Sequence, residues 1–208
     1  NGRTQEGCGL YQVTQKGGRR CSAAVGYLRR ALQRPNLQLV TDVQATRLIV
    51  EAGRAKGVAY TRLGREHEVR ADAEVIVTAG AVGSPRLLLL SGIGPADELK
   101  ALGIPVVQDL PGVGRNFHDH IDVYVISELK GAYSYDKHTQ PHRMLWAGLE
   151  VLAFKSGPVT SNLAEGGAFV TTDPGEPSPD IQHHFLPGAG LEAGVPPVPS
   201  GYGCTLNS

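Results

Sequence analysis

Gly80 and Gly83 are the residues of this sequence whose type and spacing most plainly allow chemistry. They stand between the apolar run at 75–77 and the pair Ser84-Pro85. A strand that ends in a glycine turn and opens a helix presents backbone N–H groups outward, where cofactor oxygens can be held. Glycine allows both the turn and a close approach of backbone to a ligand. The same pattern also fits a tight β–α junction without a ligand, and spacing alone does not choose between the two. His118 and His120, in FHDHID, lie two residues apart and share a face if that segment is extended. No cysteine or third histidine stands near them at a usual metal spacing, so no metal is expected. GVGRNF imitates a dinucleotide fingerprint, but it lacks the third glycine and no helical pattern follows, which argues against a nicotinamide enzyme. His183 and His184 are expected to alternate across a strand as structural or exposed residues.

These residues need elements to hold them. The spacing of Ala23, Ala24, Tyr27, Leu28, Ala31 and Leu32 predicts a helix with Ser22 as its cap and Pro35 as its stop. Short β-type runs over 37–60, punctuated by Gly53, Gly57 and Gly64, predict antiparallel hairpins ending in a buried strand at 74–78. Ser84 is the expected N-cap and Pro85 the expected first residue of a helix over 86–90, closed by Gly92. A short helix should follow over 96–103, then a strand and a Pro/Gly loop. An alternating strand should then carry Ile121, Val123, Val125 and Leu129 on one face. Met144, Leu145, Leu149, Leu152 and Phe154 mark a further helix, and two more strands should follow, the second over 179–187.

Composition narrows the function classes. Of 208 residues, 41% are hydrophobic and 19% charged, as in ordinary globular chains. Twenty basic residues balance twenty acidic ones, so nothing favours nucleic acid or an anionic membrane as partner. No apolar run approaches the ~20 residues of a membrane span, so no integral membrane segment is expected. Cys8, Cys21 and Cys204 lack close-pair spacing and are expected to be buried free thiols. The sequence opens at Asn1, and its only methionine is Met144. The expectation is an internal piece of a longer chain.

GAVGSPRLLLLSGIG, at 80–94, closely resembles the second signature of the glucose-methanol-choline (GMC) oxidoreductases. Ser84, Pro85, Leu87, Leu88, Ser91, Gly92, Ile93 and Gly94 all fall in register with it. The flanks agree. GRRCSAAVGYL resembles the segment before the family's β-meander, and NLQLVTDVQATRLIVE the meander itself. LPGVGRNFHDH resembles a family loop, and SGPVTSNLAEGGAFV a substrate-domain segment of bacterial choline- and alcohol-dehydrogenase-like members. The resemblance implies an α/β (α+β) fold: the central part of a Rossmann-like FAD-binding domain over 1–120, with its meander, then the start of an antiparallel-sheet substrate domain over 121–208.

It also implies FAD as cofactor and oxidation of a small-molecule alcohol, or a choline-like substrate, by hydride transfer to the flavin. Cofactor positions carried over are Ala45 by its backbone, Ala79, Gly80 and Gly83 at the strand end, and Asn116, Asp119 and His120 as groups near the flavin. Asn162 and Glu165 are implied as pocket-lining residues; the Glu165 carboxylate either attracts a cation such as choline or caps its loop. No catalytic residue is expected here, because the family's proton-accepting histidine would lie beyond position 208. A non-redox lyase of the same family, or a non-catalytic structural or binding chain, is the alternative. The substrate alcohol and the electron acceptor, whether oxygen, a quinone or another carrier, stay open. The expected location is cytoplasmic, with peripheral membrane association left open.

Overall fold

The computed structural model describes residues 4–189, 198–199 and 201–208. The chain forms two compact units, Pro35–Asp119, and Asn1–Arg34 with His120–Ser208. The expected division at 120/121 lies beside this boundary, but residues 1–34 group with the second unit. The reason is strand pairing: β1 (Gly7–Leu10) pairs antiparallel with a strand that begins at Gly166. A small hairpin comes next, β2 (Gln15–Lys16) and β3 (Arg19–Arg20), turning through Gly17 and Gly18, both at positive φ. A side chain on Gly18 would collide with the Lys155 carbonyl. The expected helix after Ser22 forms as a π-helical stretch, Ala24–Leu28, that continues into α1 (Arg29–Ala31). Ser22 serves it through its carbonyl, which accepts from Gly26 N–H, and no side-chain cap is made.

Pro35–Asp119 begins with the expected meander. β4 (Gln44–Glu51), β5 (Arg54–Arg62) and β6 (Arg65–Arg70) pair antiparallel in that order. Both connections are two-residue turns, Ala52-Gly53 and Leu63-Gly64, with positive φ at all four residues. This is the turn whose twist matches paired strands. Leu48 and Ile49 of β4 and Ala59 of β5 are buried. Next come α2 (Gly80–Leu90), β7 (Ile93–Gly94), α3 (Ala96–Ala101) and β8 (Gln108–Asp109), with β7 and β8 parallel.

Three expectations are corrected in this unit. The β-type run over 37–40 forms no strand, and the sheet begins at Gln44. Residues 74–78 do not form a strand: Val75 and Val77 are half-buried, Ile76 is 74% exposed, and no described segment pairs with them. A doubly buried strand requires hydrogen-bonding neighbours on both edges. The helix begins at Gly80, five residues before the expected Pro85, so Pro85 lies inside it. At the sixth helical position, the proline removes the N–H that would bond the residue 81 carbonyl, just past the donors a helix start leaves free.

α2 is joined to the meander at Ser91. The Ser91 hydroxyl, buried, accepts Leu48 N–H at 2.7 Å and donates to the Leu87 carbonyl at 2.5 Å. Leu48 lies on the outer strand of the meander, whose edge would otherwise carry an unpaired N–H. Gly92, at φ +77°, ends the helix, and its carbonyl accepts Val107 N–H and Gln108 N–H at 2.8 and 3.1 Å.

The second unit completes a five-stranded antiparallel sheet. Its later elements are β9 (Tyr124–Glu128), a 3-10 turn (Tyr135–Thr139), α4 (Pro141–Phe154), β10 (Gly166–Val170), β11 (Ile181–Leu186) and β12 (Gly203–Asn207). The order is β1-β10-β11-β12-β9. The alternating strand has the opposite phase to that expected. Ile126 stands opposite the buried Thr205 and faces in, while Val125 faces out, Val123 is exposed though it exchanges two backbone bonds with Ser208, and Ile121 precedes the pairing. α4 is where expected, but only Ala147 is buried, and Met144, Leu145, Leu149, Leu152 and Phe154 are exposed. Asp136 ties the turn to the sheet: its carboxylate accepts Ser134 Oγ–H, Ala189 N–H and Gly203 N–H at 2.7, 3.1 and 3.0 Å. The three cysteines are free, but Cys8 is exposed and the other two are half-buried. No helix among the described residues is long and apolar enough to cross a membrane.

Replacing Ser91 by Ala should destabilise the protein by about 1–3 kcal/mol, because it leaves Leu48 N–H buried without an acceptor. Denaturant unfolding followed by circular dichroism checks this, and a loss below about 0.5 kcal/mol would show that water replaces the hydroxyl.

Candidate cofactor and substrate sites

The first unit holds most of the expected cofactor positions. Gly80 opens α2 at φ +83°, a conformation that favours glycine, and a side chain placed there would meet nothing within 4 Å. No side chain caps the helix at Ala79; instead the Ala79 N–H donates to Ser84 Oγ at 3.1 Å. Ser84 therefore braces the turn from inside the helix and is not its N-cap. Gly83 has a packing role, since a Cβ there would lie 3.1 Å from that of Ala79. The eleven-residue helix thus starts in an open, small-sided mouth without side-chain acceptors for its first N–H groups.

Ala45 lies on β4, the strand against which α2 packs. It pairs with Tyr60 just before a bulge, and its carbonyl accepts from Gln44 Nε2 at 3.2 Å. The loop after β8 is tied down on two sides: Gly114 lies against Leu89 of α2, and Arg115 pairs with Glu98 of α3. Asn116 follows at φ +54°, a conformation Asn tolerates better than most residues. Asp119, at the end of this unit, is exposed.

In the other unit, His120 lines an open cleft of about 560 Å³ with Asp122, Asp180, His184 and Asn207. Thr172 holds Asp180 below the ordinary carboxylate range through its hydroxyl and its backbone N–H. The two adjacent histidines of β11 are both half-buried: His183 contacts Ser208 Oγ, and His184 Nδ1 lies 2.9 Å from the Tyr11 hydroxyl. No group of three or more His, Cys, Asp or Glu among the described residues could hold a metal ion.

Glu165 is the most constrained of the expected residues. Its Oε1 accepts from both the Tyr135 hydroxyl and the Ser161 hydroxyl, each at 2.6 Å. Its carbonyl accepts Tyr11 N–H at 2.9 Å. The chain reaches it through a tight loop. Ala164 N–H bonds the Asn162 carbonyl at 3.0 Å across Leu163, whose φ is +70°. That is the strained hand of the γ-turn. Asn162 is exposed and its Nδ2 donates to the Ala164 carbonyl at 2.8 Å. Burial and then Glu165 push the Tyr135 hydroxyl above its ordinary value of 10.0. Beside it, His138 is lowered by burial and by the positive Lys137 and Arg143.

Comparison with known proteins decides the family. The GMC oxidoreductase family model matches residues 1–122. This chain belongs to the GMC oxidoreductase family. Mitochondrial choline dehydrogenase of Homo sapiens is 43% identical over 198 residues, covering 95% of this chain and 33% of that protein. The oxygen-dependent choline dehydrogenase of Sinorhizobium fredii is 47% identical over 195 residues, covering 90% and 34%. A solved structure of Aspergillus oryzae formate oxidase, made to study FAD modification, superposes with TM-score 0.83 at 27% identity, covering 93% and 38%. The chain spans about a third of the length of the curated relatives it matches. The meander, α2 and the antiparallel sheet are thus parts of a GMC fold.

Tyr135, Ser161 and Tyr11, which bond to Glu165, are the candidate residues that sequence reasoning missed. Tyr135 and Ser161 lie in segments without periodicity, and only their hydrogen bonds to Glu165 mark them. Because the folded protein holds the Tyr135 proton above the value of the unfolded chain, the stability tied to it is present below about pH 10 and lost above. The difference in stability between wild type and Tyr135→Phe should therefore stay constant at neutral pH and shrink as pH rises past 10. Denaturation midpoints measured across that range check the sign.

Proposed function

We propose that this chain is part of an FAD-dependent oxidoreductase that acts on the CH–OH group of an alcohol, with a choline-like cation as the favoured substrate class. The observation that carries the reading is the GMC signature around Gly80, which opens a helix in a mouth free of side chains. Bound there, FAD supplies the acceptor for a hydride from the alcohol carbon. The chain's own residues do the holding. Ala79, Gly80 and Gly83 keep the mouth of α2 clear for a close backbone approach, and its N–H groups suit phosphate oxygens. Ala45 offers main-chain contact at the bulged end of β4. Asn116, Asp119 and His120 order the loop beside the flavin.

Glu165 is the proposed anionic subsite, with Asn162 beside it. Two relatives are named choline dehydrogenases, and a fixed carboxylate suits a quaternary ammonium head. No residue of this chain is assigned as the base that takes the alcohol proton.

Gly80→Val in the protein that carries this sequence should lower the flavin absorbance near 450 nm per protein. Valine at φ +83° is strained, and its branches fill the open mouth. Full occupancy in a folded variant would return Gly80 to a purely conformational role. Glu165→Gln should lower kcat/KM for choline by about 10–100-fold while sparing its neutral isostere 3,3-dimethylbutan-1-ol, since a desolvated charge contact contributes about 1.5–3 kcal/mol. An equal effect on both alcohols would remove Glu165 from the subsite.

A further inference from the structure

We propose that the hydroxyls of Tyr135 and Ser161 clamp the Glu165 carboxylate, and that Tyr135 in particular sets selectivity for alcohols bearing a fixed positive charge. This rests on the reading of Glu165 as the anionic subsite. Both hydroxyls donate to the same oxygen, Oε1, at 2.6 Å. With both donors on Oε1, the proposed face for a cation is Oε2. A carboxylate held by two donors is fixed in orientation, and a fixed dipole needs no rearrangement when the ligand arrives.

The clamp is itself rigid on both sides. Tyr135 N–H donates to the Pro187 carbonyl at 2.6 Å, and the next residue is the thrice-bonded Asp136. Ser161 Oγ also accepts Leu163 N–H at 3.0 Å, so the hydroxyl that braces the turn also holds the carboxylate. The raised ionisation of Tyr135 keeps it a donor at any working pH. A tyrosine placed only for packing would not direct its hydroxyl, in a half-buried setting, onto the one oxygen that a serine already occupies.

The test compares wild type, Glu165→Gln, Tyr135→Phe and Ser161→Ala in the FAD-loaded protein that carries this sequence. The readouts are the ratio of kcat/KM for choline to that for 3,3-dimethylbutan-1-ol, and the Kd of tetramethylammonium, which binds without turnover. Tyr135→Phe should lower the ratio about tenfold, chiefly through the KM for choline, raise the tetramethylammonium Kd to match, and leave flavin content unchanged. Ser161→Ala should move the same quantities in the same direction, and 4-aminophenylalanine at position 135, which keeps a donor, should restore them. If Tyr135→Phe does not accumulate as folded protein, Ser161→Ala decides: a fallen ratio supports the clamp and an unchanged ratio overturns it. A ratio that falls in Glu165→Gln but not in Tyr135→Phe overturns the inference and leaves the subsite standing. A ratio unmoved by Glu165→Gln removes the subsite itself.

Discussion

One buried hydroxyl joins the two layers of the first unit. An outer strand of a three-stranded sheet carries N–H groups with no strand to receive them, and each costs free energy if it is buried. Ser91 supplies the acceptor for Leu48 while donating to its own helix at Leu87. The bond fixes the last turn of α2 against β4 and brings Leu87 beside the buried Leu48 and Ile49. Alanine would keep the helix but leave the strand N–H bare, and a larger side chain would not fit a site 8% exposed.

The glycines after Ser91 complete the same joint. A side chain on Gly92 would strike the Pro105 carbonyl and Val107, and one on Gly94 would strike Leu89. Both are bare because the residues leading into β8, and α2, come within contact of their backbone. The GMC signature therefore divides into two halves with different physics. Residues 91–94 serve packing and strand pairing, while residues 79–84 stay open around Gly80. A pattern that reads as one motif is half fold and half mouth.

Period and turn chemistry were legible in the sequence. β4 and β5 of the meander, α2's end at Gly92, α3, α4, β10 and β11 derive from glycine punctuation and local periodicity, whereas β6 and β12 do not. What was hidden depends on partners distant along the chain. The strand expected at 74–78 reads as one from its apolar run, yet pairing is a property of neighbours and none is described beside it. The helix was expected to begin at Ser84-Pro85, because that pair suits a first turn; Gly80 begins it instead, since glycine alone there adopts φ +83°. β1 gave no signal in the sequence, and the strand that pairs with it lies more than 150 residues later. Of the candidate residues, Gly80 and Glu165 were visible through resemblance. Tyr135 and Ser161 were not, because a hydroxyl's partner is set by tertiary structure.

Strain at Leu163 bears on how the carboxylate is presented. A branched residue at φ +70° in a γ-turn costs roughly 1–3 kcal/mol and persists only where its surroundings over-determine it. Here three bonds do so: Leu163 N–H to Ser161, Ala164 N–H to the Asn162 carbonyl, and Asn162 Nδ2 to the Ala164 carbonyl. Glycine would relieve the strain but would also let the loop sample other turns. The loop then delivers Glu165 next to Gly166, which is buried and already paired in the sheet with Leu10 and Phe185. One end of the loop is thus fixed by the sheet and the other by Ser161. With both ends held, the orientation of the Glu165 carboxylate depends on its side-chain torsions, and the two hydroxyl bonds to Oε1 restrict those.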